Sequence, residues 1–216
     1  PVLGYTPEHN AYPYNYMIGS EAQRRDAIDY LKLSLEMAKE MGAEFVLTSP
    51  ANGGYLATYD QLWSRLEKNI QELGDYAAKL EIKLVVEALT PYESNFFTRA
   101  NDLVELFRRV DNPYVVGMCD IVPPFVQHES IMAYFDKLGN KMDHMHIIDG
   151  ENGSDTHLIP GEGNIPIKEM LYEMKRIGYD KTATLELVTN YINEPRFYAK
   201  RAIDNMRELM AEAGIV

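Results

Sequence analysis

The sequence predicts an α/β fold of successive strand and helix units, a TIM (β/α)8 barrel that lacks its first two βα units. Three observations carry that expectation. Short β-branched runs alternate with longer stretches of helical spacing, the pattern of a parallel sheet. No GxGxxG or GxxxxGK[ST] loop follows any of the runs, so the nucleotide-binding form of a doubly wound sheet would lack its phosphate cradle. Finally, Glu87, Asp120, His146 and Glu186 each stand near the carboxyl end of a different run. Six strand and helix pairs suit either a doubly wound sheet or a barrel. The placement of these polar residues decides for the barrel, because barrel enzymes keep their chemistry at that end.

The expected strands cover residues 2–6, 44–49, 83–89, 115–121, 142–149 and 182–188. Between the first two, Ser20 with Gln23 forms a capping-box pattern ahead of a face made of Ile28, Leu31, Leu35 and Ala38, and Gly42 sits where that helix should end. Thr58 with Gln61 repeats the box before Leu62, Leu66 and Leu73. A later helix is expected to take Pro166 as its first residue and to stop at Gly178. The last is expected to begin at 193–195 and run to Gly214. No low-complexity linker interrupts the series, which predicts one domain over residues 1–216. An eight-unit barrel usually needs about 250 residues. The expectation is therefore that two units belong ahead of Pro1, and that without them the first and last strands are open edges.

Composition narrows the function classes. Apolar residues make up 46% and charged residues 25% of the chain, an ordinary balance for a globular protein. No run approaches the roughly 20 apolar residues that span a bilayer, and no signal segment is evident. The single cysteine, Cys119, cannot form an internal disulfide, which suits a reducing compartment, so the cytoplasm is expected. With 21 Lys plus Arg against 33 Asp plus Glu, the formal charge of −12 repels phosphate backbones and anionic lipid. Neither nucleic acid nor a membrane is an expected partner.

The stretch HMHIIDGENGSDTHLIPGEG, residues 144–163, contains three of the five histidines. Taken singly, each strand-end residue has an ordinary reading. Glu87 or Glu186 could meet a lysine or arginine, Asp120 could cap a helix, and His146 could be a satisfied core histidine. Together, three carboxylates and an imidazole at one barrel mouth would repel one another unless a cation lay between them. Such an oxygen-rich donor set suits one divalent ion, Mn²⁺, Mg²⁺ or Co²⁺, and is compatible with Zn²⁺. His144 and His146 point to the same side of a strand, so spacing does not choose between them. Nearness to the carboxyl end favours His146.

The strings EALTPYES, CDI, HMHIID, SDTHLIPGEG and TLELV, in that order at successive strand ends, resemble the xylose-isomerase-like TIM barrels. That family includes keto-sugar 3-epimerases, hydroxypyruvate isomerases and endonuclease IV. The longer strings GYTPEHNAYPYN, LTPYESN, YFDKLG and ELVTNYINEPRFYA are similar to those of its sugar-amine epimerases, and the likeness runs from Val2 to Arg207. The resemblance implies an isomerase, a carbohydrate 3-epimerase inverting C3 of a keto-sugar or sugar-amine, and a homo-oligomer. It implies one divalent metal held by Glu87, Asp120, His146 and Glu186, with Glu87 and Glu186 also the catalytic proton-transfer pair. It implies substrate contacts from Glu93, and from Asp155 and His157, which match a loop that in the nuclease supplies further metal ligands. The aromatic entry segment, Tyr5, Tyr12, Tyr14 and Tyr16, would either wall the sugar or cover the barrel top. Departures bear on the nuclease reading. Pro123 stands where the family often has a histidine, and the histidines of two earlier strands are replaced by the regions of Tyr5 to Pro7 and Ser49 to Pro50.

Overall fold

A computed structural model of the chain, describing residues 2–151 and 153–215, shows six short parallel strands hydrogen-bonded in chain order into one sheet. They are β1 (Gly4–Tyr5), β2 (Phe45–Thr48), β3 (Lys83–Val86), β4 (Val115–Asp120), β5 (Met142–Ile147) and β6 (Thr182–Leu185). Every expected run contains a strand, and each strand is shorter than expected. The lost residues are informative. The chain leaves the ladder at the mouth, so Glu87 and Glu186 fall just past β3 and β6 instead of inside them. Pro1, where the sequence begins, lies outside the described residues.

Helices follow from local chemistry. α1 (Glu21–Glu40) starts at Ser20, whose Oγ accepts from Gln23 N at 3.3 Å while Gln23 Oε1 accepts from Ser20 N at 2.8 Å. α2 (Tyr59–Leu80) repeats the reciprocal pair with Thr58 and Gln61. α3 (Ala100–Arg109) covers the next crossover. After β4 one helix was expected and two form: α4 (Val122–Val126) and α5 (Met132–Leu138). Pro123 and Pro124 fit a first turn, but the chain then bends at His128, whose φ is 55°. α6 spans Ile167–Ile177, with Pro166 at its N-cap and not inside the helix, and ends on Gly178 in the left-handed region. α7 (Pro195–Glu212) closes the series.

Strand alternation divides the core in two. Val46, Leu84, Val86 and Val115 join the main cluster with the helices, including Leu31, Leu66 and Leu103. Phe45, Leu47, Val85, Val116 and Met118 form a second cluster on the inner face. Below it, at the amino-terminal end, Lys83 Nζ donates to both oxygens of Asp143 at 2.7 and 2.8 Å. Above it stand the polar side chains of the mouth.

Candidate metal centre

The top of the inner face is built from four consecutive strands. Glu87 follows β3, Asp120 ends β4, His146 lies near the end of β5 and Glu186 follows β6. Parallel register sets Asp120 beside His146, and β6 then carries Glu186 to the far side. His146 Nδ1 lies 3.4 Å from Glu87 Oε1, 3.4 Å from Glu186 Oε2 and 3.8 Å from Asp120 Oδ2. The sequence brought these residues to one end of the fold; in the structure the Glu87, Asp120 and Glu186 carboxylates all lie within 3.8 Å of His146 Nδ1.

The two strand histidines differ in their partners. His144 is buried, with Nδ1 2.8 Å from Thr182 Oγ1 and Nε2 3.1 Å from Thr184 Oγ1. Both of its nitrogens are engaged. Burial, with His146 nearby, pushes its pKa down to about 4, so it is a neutral member of the barrel interior. His146 Nδ1 is different: it is buried and has no hydrogen-bond partner among the described residues. A buried polar nitrogen left unmatched is costly.

His157 comes to the same point from the loop after β5. Its Nε2 is 3.1 Å from Glu186 Oε2 and 3.6 Å from Asp120 Oδ2, and its Nδ1 is 3.2 Å from Asp155 Oδ1. Two overlapping donor groups result, one of Glu87, Asp120 and His146 and one of Asp120, His157 and Glu186, each with its donor atoms within 4.8 Å of one another. His157, expected as a substrate contact, has its Nε2 inside the cluster. Asp155 and Glu93 lie one layer further out. The Thr90 hydroxyl is 2.8 Å from Glu93 Oε2 and 3.0 Å from Asp155 Oδ2, which ties the loop after β3 to the loop after β5. Of the four tyrosines, Tyr16 is buried in the core, Tyr14 stacks on Tyr30 with ring centroids 4.5 Å apart, and Tyr12 is exposed.

Burial raises the pKa of Glu87 to about 7, against the lowering influence of His146. Burial likewise acts against a charged His146, but Asp120, Glu186 and Glu87 outweigh it and hold the imidazolium well above the ordinary range. His157 behaves the same way, lifted to about 12 by Asp120, Asp155 and Glu186. Glu186 is lowered, because its contacts with His146 and His157 overcome its desolvation.

Two residues were not found by sequence reasoning. His9 is buried beside the end of β2, with Nδ1 2.7 Å from the Pro7 carbonyl oxygen and Nε2 3.0 Å from Ser49 Oγ. It sits in a long loop after a two-residue strand, and no spacing marks it. Asp149 falls at the end of the expected strand 142–149 with nothing to mark a role, yet it is buried at the base of the loop that carries His157.

These features define a class before they define a chemistry. The chain belongs to the xylose isomerase-like TIM barrel family, whose model matches residues 4–209. It is 48% identical over 212 residues to the fructoselysine 3-epimerase of Shigella flexneri, covering 98% of this chain and 77% of that protein. Solved structures share the fold at low identity. A D-psicose 3-epimerase from Clostridium cellulolyticum H10, solved with D-tagatose, superposes with a TM-score of 0.72 at 19% identity, over 86% of this chain and 63% of that one. The IOLI protein, solved with a bound zinc atom, gives 0.76 at 20% identity, over 98% of this chain and 75% of that one.

Proposed function

We propose that the chain is a divalent-metal-dependent isomerase that inverts C3 of a keto-sugar, with fructoselysine and its C3 epimer, psicoselysine, as the pair it interconverts. The observation that carries this reading is the orphaned Nδ1 of His146 amid Glu87, Asp120 and Glu186. Ligands bound about 2.1 Å from one ion sit about 3 Å apart when adjacent, close to the spacings found here. The substrate is taken from the 48% identity to fructoselysine 3-epimerase.

Glu87, Asp120, His146 and Glu186 would hold the ion, and Mn²⁺, Mg²⁺, Co²⁺ and Zn²⁺ all accept such a set. When bound, the ion supplies positive charge beside the substrate carbonyl, which acidifies the neighbouring C–H bond. The remaining work belongs to side chains. Inverting a carbon next to a carbonyl means taking a proton from one face and returning one to the other. Glu87 and Glu186 lie on the outer two of the four strands, and a sugar lying over Asp120 and His146 would have one glutamate on each face. One carboxylate takes the C3 proton, the electron pair moves toward the C2 oxygen, and the opposite carboxyl group delivers a proton to C3. His157 would contact a sugar oxygen, with Asp155 and Glu93, joined through Thr90, orienting it. Burial raises the pKa of Glu93.

The test is solvent deuterium incorporation at C3. The metal-loaded protein in D2O should label fructoselysine at C3 and form its epimer, and Glu87→Gln or Glu186→Gln should lower epimerisation by about 1,000-fold or more. Labelling of free ketohexoses but not of fructoselysine would move the assignment to another keto-sugar epimerase. Labelling at C1 instead would move it to an aldose-ketose isomerase.

A further inference from the structure

We infer that Asp149 is a positioning residue for this site: its carboxylate fixes the path of residues 153–165, which delivers His157 to Glu186 and Asp120. Asp149 is 1% exposed, and its two oxygens accept four backbone amides. Oδ1 takes Gly150 N at 2.9 Å and Ile165 N at 3.0 Å, and Oδ2 takes Gly161 N at 2.9 Å and Gly163 N at 3.0 Å. One buried side chain thus binds the first residue of the loop and three positions at its return. Its main chain binds the middle, because Asp149 and Leu158 exchange two hydrogen bonds of 2.7 Å. Leu158 is the residue directly after His157.

His157 needs this support because its own backbone is unfavourable. Its φ is 46°, in the left-handed region that side-chain-bearing residues avoid and that persists only when surroundings over-determine it. Neighbouring loops add two ties, Asn190 Nδ2 donating to Thr156 O at 2.8 Å and Ile159 N to the Tyr191 hydroxyl at 3.0 Å. Gly163 is part of the same device. A Cβ there would lie 2.4 Å from Asp149 Oδ1 and 2.4 Å from the Gly150 carbonyl oxygen, so only glycine lets the returning chain reach the carboxylate.

The conservative change Asp149→Asn is a sharp probe. Both carboxylate oxygens face two N–H donors each, so whichever way the amide is turned, an NH2 group must oppose two N–H groups. The inference rests on the proposed function only for its kinetic readout, and the first measurement is free of it. In metal-free protein labelled with 15N-histidine, Asp149→Asn should shift the His157 ring resonances and leave those of His9 and His128 in place. In the metal-loaded enzyme, kcat should fall about 100-fold, the scale expected when a site group is misplaced by an ångström. The pair Asp149→Asn and His157→Asn should then be non-additive, the double variant lying within about twofold of His157→Asn alone. Gly163→Ala, which crowds the carboxylate without altering its charge, should reproduce the resonance shift and carries the test if Asp149→Asn does not fold. Unmoved His157 resonances, or a fully additive double variant, would overturn the inference. A shift in the resonances without C3 exchange in the wild type would leave Asp149 in its role and remove the proposed reaction.

Discussion

His144 and His146 share one face of β5 and are held in opposite ways. His144 spends both nitrogens on the hydroxyls of Thr182 and Thr184. His144→Asn should therefore cost about 1–3 kcal/mol of stability, read by urea denaturation in EDTA, since it removes a buried ring together with its hydrogen bonds to Thr182 and Thr184. His146→Asn should cost at least as much in EDTA, because it removes the imidazolium that offsets the carboxylates of Asp120, Glu186 and Glu87. The pH dependence of metal binding follows from the same atoms. Without a cation, Glu87 titrates at about 7 and His146 keeps its proton above its ordinary range. A metal must displace those protons, so affinity rises with pH and falls as pH drops through 7, by about tenfold per unit for each proton released. Calorimetry in two buffers of different ionisation enthalpy should show proton release at neutral pH, and no release would refute this balance.

At the level of elements, most of the fold was legible because local chemistry and tertiary context agree. The two capping boxes formed where Ser20 and Thr58 announced them. Thr58→Ala should cost about 1 kcal/mol, and Leu66→Ala, fully buried on the inner face of α2, about 2–5 kcal/mol. Both are readable as a lowered urea midpoint at unchanged slope. The misses share a cause. A periodic pattern does not report where a chain leaves the ladder, so strand ends ran long, and it does not see the break after Val126, where a left-handed His128 separates α4 from α5. Site legibility follows the same division. Glu87, Asp120, His146 and Glu186 lie next to strands and were readable from them. His157 and Asp149 act through a loop whose path is set by hydrogen bonds between residues up to 16 positions apart, and His9 acts across 40 positions. No local pattern encodes those contacts.

At the scale of the whole molecule, the sheet curls so that four strand ends share one mouth, while β6 keeps Ala183 and Thr184 exposed. An apolar cavity of about 530 Å³ beside β6, lined by Leu185, Leu187, Val188 and Ile192 among others, contains no carboxylate or imidazole. Among the described residues no helix is long and apolar enough to cross a membrane. A cation that binds the folded mouth and not the unfolded chain should raise stability by about 2.7 kcal/mol at one hundred times its Kd, seen as a higher Tm that EDTA reverses. The most direct test is elemental analysis of the protein after manganese loading and gel filtration, for the wild type, His146→Asn and His144→Asn. The geometry predicts one bound ion per chain in the wild type and in His144→Asn, and none in His146→Asn; a wild type without bound metal, or equal loss in both variants, would contradict it.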